Sequence, residues 1–255
     1  MSRVLAVANQ KGGVAKTTTV VNLAAALVEA GASVLVVDLD AQACATFSLG
    51  LDPEDLSQSV MDALRGTAIV GLVLRTADGV DLVPAKLDLA GADQLLATKA
   101  GREFVLRDAL KQFADTYDWI ILDCSPSLGI ITINALAAAD EVIIPLQCET
   151  LSHRGVGQLM ETIADVQRLI NPRLRVAGIL PTLFDGRTAH ARAVLADLSP
   201  RYGVEVLAPI SRSIRFAEAP AAGRSILATA PTSKGAAEYR ALAQRVMRGA
   251  NQDAS

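Results

Sequence analysis

The chain alternates short apolar runs with longer segments in which apolar residues recur every three or four positions. Strand-like runs fall at residues 3–8, 34–37, 80–83, 119–122, 142–146, 176–180 and 204–208. Runs this short and this continuously apolar suit strands covered on both faces. Helical spacing marks 18–30, 102–117, 130–139, 155–170, 189–198 and 235–248. Strands alternating with helices predict an α/β fold, a mostly parallel twisted sheet with helices on both faces, three layers in all. No linker, low-complexity tract or internal repeat interrupts the 255 residues. A single domain over 1–255 is therefore expected, ending in a short polar tail at 249–255. Residues 50–100 are the least regular, with short helices and a strand near 81–84 expected.

Composition narrows the class. The apolar fraction is 51%, yet no run approaches the roughly 20 apolar residues of a membrane span. The N-terminus leads almost directly into a strand, so no signal peptide is expected. Cys44, Cys124 and Cys148 are widely spaced, which argues against a zinc site or disulfide framework and fits a cytoplasmic setting. The net charge of −3 conceals an asymmetry: residues 1–172 balance at −9, and residues 173–248 at +7. A basic C-terminal third is a candidate polyanion surface, with a solvated helical face as the alternative.

The candidate chemistry begins at Lys11-Gly12-Gly13-Val14-Ala15-Lys16-Thr17-Thr18, a glycine-bearing loop between the first strand and first helix. That setting suits a phosphate: loop amides surround it and the helix N-terminus adds its dipole. Lys16 would reach terminal phosphates and the Thr17 hydroxyl would ligate Mg²⁺. Two buried runs end in acids, one at Asp38 and Asp40, the other at Asp123. Carboxyl ends of parallel strands are where such sheets bind ligands. Asp123 would hold Mg²⁺ through a water, as hard cations favour oxygen donors.

The pattern G-x-x-x-x-G-K-[ST] fails here, because its glycine positions hold Gln10 and Ala15. The loop instead resembles the deviant Walker A motif, KGGxGK[ST], of the ParA/MinD branch of P-loop ATPases. Ala15 stands where that family has glycine. The run from Asp123 to Gly129 is similar to the family's DxPPSLG, with Ser125 replacing the first proline. Pro145–Glu149 and Gly155–Leu159 resemble its PxQxE and GxxQL stretches. The resemblance spans nearly the whole chain. It implies the deviant-Walker P-loop fold, ATP and Mg²⁺ as ligands, and slow ATP hydrolysis. Lys11 would cross a dimer interface to the partner's nucleotide, Asp40 would orient the attacking water, and Asp38 would sit near the metal. Thr182 and Pro209 become base-pocket candidates, although both also read as ordinary strand ends.

The resemblance further implies an ATP-dependent homodimer that binds double-stranded DNA non-specifically, so nucleoid-associated, and is released by a ParB-like activator in chromosome or plasmid segregation. Asp185–Thr188 and Ser211–Pro220 match the family's DGRT and PRxxRxAEAP elements. Arg187, Arg212 and Arg215 there, with Arg192 and Arg224 nearby, are the candidate phosphate contacts. The competing expectations are a MinD-like membrane switch, which would need a basic amphipathic C-terminal helix, a metabolic or metal-carrier ATPase of the same fold, and a ParA-like ATPase that positions other cargo. The last helix reads as core packing, so no membrane association is expected.

Overall fold

The computed structural model describes residues 2–149 and 152–253. Its strands are β1 (Arg3–Val7), β2 (Val34–Leu39), β3 (Leu74–Arg75), β4 (Asp81–Val83), β5 (Trp119–Cys124), β6 (Glu141–Gln147) and β7 (Arg175–Thr182). They form one sheet in the order β3-β4-β2-β5-β1-β6-β7. Every neighbouring pair is parallel except β3 with β4. The helices of the first half are α1 (Lys16–Glu29), α2 (Cys44–Ser48), α3 (Val60–Arg65), α4 (Ala92–Leu96), α5 (Val105–Leu110) and α6 (Ile130–Ala138). Those of the second half are α7 (Ser152–Leu169), α8 (Ala189–Tyr202), α9 (Arg215–Glu218), α10 (Ile226–Thr229) and α11 (Lys234–Asp253). The α/β layering expected from the apolar pattern is the one observed.

Alternation along the strands fills two cores. Leu35, Val37, Ile120, Leu122 and Ile144 pack beneath α3 to α7, while Leu5, Val7, Val34, Val36 and Ile121 pack against α1 and α11. Because side chains alternate with a period of two, Asp38 and Asp123 belong to the second set. The β2–β5 register sets Asp38 directly opposite Asp123. Both carboxylates therefore lie on the face where α1 begins.

Three expectations change. Residues 204–208 make only an isolated bridge, Val206 to Ile179, beside the edge strand β7. The Glu205 carbonyl and Leu207 amide bond Ile179, and the Ile210 amide bonds the Pro181 carbonyl. Pro181 and Pro209 have no N–H to extend that ladder, which ends the regular pairing. The helix expected over 102–117 is broken into a 3-10 turn, α5 and a second 3-10 turn at Lys111–Phe113. The helix expected to end at 248 instead continues through 253, into the stretch read as a polar tail.

Gly178 marks where β7 must bend. Its φ is +153, and a Cβ there would stand 2.8 Å from the Leu207 side chain and 3.0 Å from the Glu205 carbonyl. Gly178→Ala is expected to destabilise the protein by about 1–3 kcal/mol, read as a lower urea midpoint with an unchanged slope.

Candidate functional site

The site assembles where β1, β2 and β5 end. The loop after β1 reverses the chain with Gly13 at φ +74 and Ala15 at φ +63. Ala15 then serves as the N-cap of α1 in a left-handed conformation that explains the family's glycine preference: a Cβ there costs about 1–2 kcal/mol. Among the described residues, the non-glycine positions with positive φ are Ala15, Ala43 and Leu183. Each follows the carboxyl end of a parallel strand, so backbone strain is concentrated on the loops that form the site.

No side chain caps α1 and its first turn has no acid, so its leading amides are open to an anion. Thr19 is tied back through its hydroxyl to the Ala15 carbonyl at 2.8 Å. Lys16 is buried and donates to the Lys11 carbonyl at 3.2 Å. Burial lowers its pKa, opposed by the charge of Asp123. The Thr17 hydroxyl donates to Asp123 Oδ2 at 2.7 Å. Asp123 Oδ1 is buried without a hydrogen-bond partner among the described residues. Burial, and then the charge of Asp38, push Asp123 well above the usual carboxylate range.

Asp38 is also fully buried, and desolvation raises it to about 6. Its oxygens are already engaged. Oδ2 accepts from the Thr46 amide at 2.9 Å and hydroxyl at 2.8 Å, and Oδ1 accepts from the Asp40 amide at 3.1 Å. Asp40 is half-buried and accepts from the Gln42 amide at 3.0 Å, which orders the segment leading into α2. Lys11 turns away from its own loop: Nζ pairs with Glu149 at 3.0 Å, and its amide donates to Asn9 Oδ1 at 3.0 Å. Thr182 donates to the Val14 carbonyl at 2.9 Å, so its hydroxyl braces the loop. Pro209 lies past the Val206 bridge, Gly12 is open, and the Thr18 carbonyl accepts from Asn22 at 2.7 Å. Asn9, Thr46 and Glu149 had no assigned role in the sequence. Asn9, adjacent to the glycine loop, and Glu149, the acid closing the PxQxE-like stretch, carried a signal, and Thr46 carried none.

The arginines divide. A bridge from Phe184 to Ser211 brings the 185–192 and 211–215 segments together. There Arg187 pairs with Asp185 through two bonds, at 2.9 and 2.7 Å, and Arg215 pairs with Glu218 at 2.9 Å. Arg192 donates to the Gly186 carbonyl at 2.7 Å, and Arg212 is exposed. Arg224 is elsewhere: it binds buried Asp78 in the β3–β4 hairpin turn, towards the opposite edge of the sheet.

A family model described as an AAA domain matches residues 2–176. The chain is 47% identical over 246 residues to the chromosome-partitioning ATPase Soj of Thermus thermophilus, covering 96% of this chain and 95% of that one. The chain belongs to the ParA/MinD branch of P-loop ATPases. The sporulation initiation inhibitor protein Soj of Bacillus subtilis is 42% identical, with 96% of this chain and 98% of that one covered. A solved Mycobacterium smegmatis protein, named cobyrinic acid a,c-diamide synthase and holding an ATP analogue and magnesium, is 51% identical. It superposes with a TM-score of 0.88 over 97% of this chain and 95% of that chain. As a ParA-type chain, this one carries the family's phosphate loop with Ala15 as its departure. No helix among the described residues is long and apolar enough to cross a membrane.

Two stability effects follow. Ala15→Gly is expected to raise stability by about 0.5–1 kcal/mol, strain relief exceeding the added chain entropy. For the buried acids, the unfolded carboxyls lose their protons near pH 3.9, before the folded ones. Without ligand, stability from them therefore falls as pH rises from about 4 through 6 and beyond. Asp123→Asn should flatten part of that fall and stabilise the ligand-free protein at pH 7, measured by urea unfolding at pH 5 and 7.

Proposed function

We propose that this protein hydrolyses ATP slowly as a dimerising switch whose ATP-bound dimer holds double-stranded DNA, and that a ParB-like partner triggers its release in chromosome or plasmid segregation. The observation that carries the reading is the meeting of Lys16, Thr17 and Asp123 at the head of α1. Residues 11–18 would surround the phosphates through loop amides and the Lys16 ammonium. The donor set fits Mg²⁺: Asp123 Oδ1 is buried without a partner among the described residues, Thr17 is adjacent, and Asp38 lies beside them. Among the described residues no larger cluster of metal-binding side chains occurs. That suits an ion held by one or two carboxylates together with phosphate and water. Magnesium, when bound, supplies positive charge that offsets the triphosphate. Asp40 would orient the attacking water, and turnover is expected to be slow. Thr182 and Pro209 would border the base.

The pairing of Lys11 with Glu149, outside its own phosphate loop, supports a role for Lys11 in a second subunit's site. DNA affinity would come from the cluster at 185–215, chiefly Arg192 and Arg212, because Arg187 and Arg215 already face carboxylates. Arg224 would serve the fold. This reading places the protein in the cytoplasm, on the nucleoid. A second reading, ATP-driven amide synthesis, is favoured only by the name of the Mycobacterium smegmatis neighbour. Turnover that required an added carboxylic acid and amine would support it.

The deciding experiment is a gel shift on random duplex DNA with ATP, ADP or no nucleotide across a salt series. Retention is expected with ATP alone, weakening steeply with salt. Arg212→Glu should lower it at least about tenfold while the dimer persists, one 1.4 kcal/mol step being tenfold. Asp40→Ala should bind ATP and remain dimeric without turnover. Salt-independent retention, or unchanged turnover in Asp40→Ala, would remove these assignments.

A further inference from the structure

An open groove of about 890 Å³ lies beside the site, bounded by Ala43, Cys44, Phe47, Pro53, Leu87 and Pro220. Phe47 and Leu87 are 55% and 74% exposed, two of the five large apolar side chains so exposed among the described residues. Single exposed apolar residues are ordinary, but two facing one concavity mark an interaction surface. The charge along its rim is not balanced. Lys86 donates to the Leu56 carbonyl and keeps its positive charge, and Asp88 pairs with Arg65 at 3.7 Å. Asp52 and Glu54 have no ion pair among the described residues, and the Asp52 carboxylate only accepts the Glu54 amide at 2.9 Å. The groove thus offers apolar walls and a net negative rim, with Asp52, Glu54 and Asp88 against Lys86 among its lining residues.

Its frame is fixed by a backbone contact. Gly50 and Gly223 have φ of +87 and +62, and a Cβ on Gly223 would stand 2.6 Å from Gly50 Cα. This close approach fastens the end of α2 to the turn that carries Pro220. A smaller adjoining hollow shares Phe47, Asp52 and Pro220. From the other end, α2 is tied to the site: Thr46 donates to Asp38, and the Ala43 amide donates to the Asp40 carbonyl at 2.8 Å.

We propose that this groove docks a cationic segment of the activating partner protein, with one large apolar side chain set between Phe47 and Leu87 and its cations against Asp52 and Glu54. The proposal rests on the partner-activated reading above and gives that activation a place. Pressure on α2 reaches Asp38 and Asp40 through Thr46 and Ala43.

Cys44 supplies the reporter, since it is exposed while Cys124 and Cys148 are buried. Its alkylation by N-ethylmaleimide would be timed at mildly alkaline pH with ATP and DNA, with and without the full-length ParB-like protein, alongside ATP turnover. The partner is expected to slow alkylation at least tenfold and to accelerate turnover. In the Asp52→Lys/Glu54→Lys protein, and in Leu87→Ser, basal turnover should persist while stimulation and shielding both fall about tenfold. Full stimulation of either variant would overturn the groove assignment and leave the switch reading standing. Shielding by ATP alone would also overturn it, making a second copy of the chain the occupant. A partner that never stimulates the unmodified protein would overturn the partner-activated reading and the groove together.

Discussion

Lys16, Asp38 and Asp123 are charged groups held out of water where α1 meets the ends of β2 and β5, and the surrounding structure is arranged around their cost. Burial works against the charged form of each. Asp38 is compensated internally by two donors from Thr46 and one from the Asp40 amide. Asp123 is compensated only in part, by Thr17 and the more distant charge of Lys16. Asp123 Oδ1 has no hydrogen-bond partner among the described residues, and no side chain caps the start of α1. A fold selected for stability alone would satisfy both with side chains. Strain at Ala15 and Ala43 belongs to the same compromise, because the turns that lead into α1 and α2 are built on left-handed backbone.

Much of this was legible in the residues. Buried parallel strands have a strong signature, so the sheet, its two covered faces and the acids ending β2 and β5 could be read directly. The phosphate loop was legible through Lys11, Gly12, Gly13 and Lys16 despite the failed glycine pattern. Local rules gave way where tertiary contacts decide. The apolar run at 204–208 looks like a strand, yet prolines on both sides of the pairing reduce it to a bridge. The helix expected over 102–117 has good spacing but is broken by 3-10 turns. The antiparallel pair β3 is two residues long and carries no pattern at all.

Long-range side-chain partners were the least visible. Thr46 reaches Asp38 from eight residues away, and Glu149 reaches Lys11 from the far side of β6. Neither pairing has a spacing rule. The arginines show the same limit in reverse: a run of basic residues suggested one surface, but Arg224 pairs with Asp78 and leaves the others. Sequence clustering located the charge, and the fold divided it, bringing 185–192 and 211–215 together and sending Arg224 to Asp78.

The central claim is that the head of α1 is a magnesium-dependent ATP site built on Lys16 and Asp123. Isothermal titration of ATP into the wild-type and Lys16→Ala proteins, with and without Mg²⁺, tests it most directly. Binding near one ATP per chain is expected only in the wild-type protein, and markedly tighter with Mg²⁺. Equal affinity in the two proteins, or affinity indifferent to Mg²⁺, would contradict it.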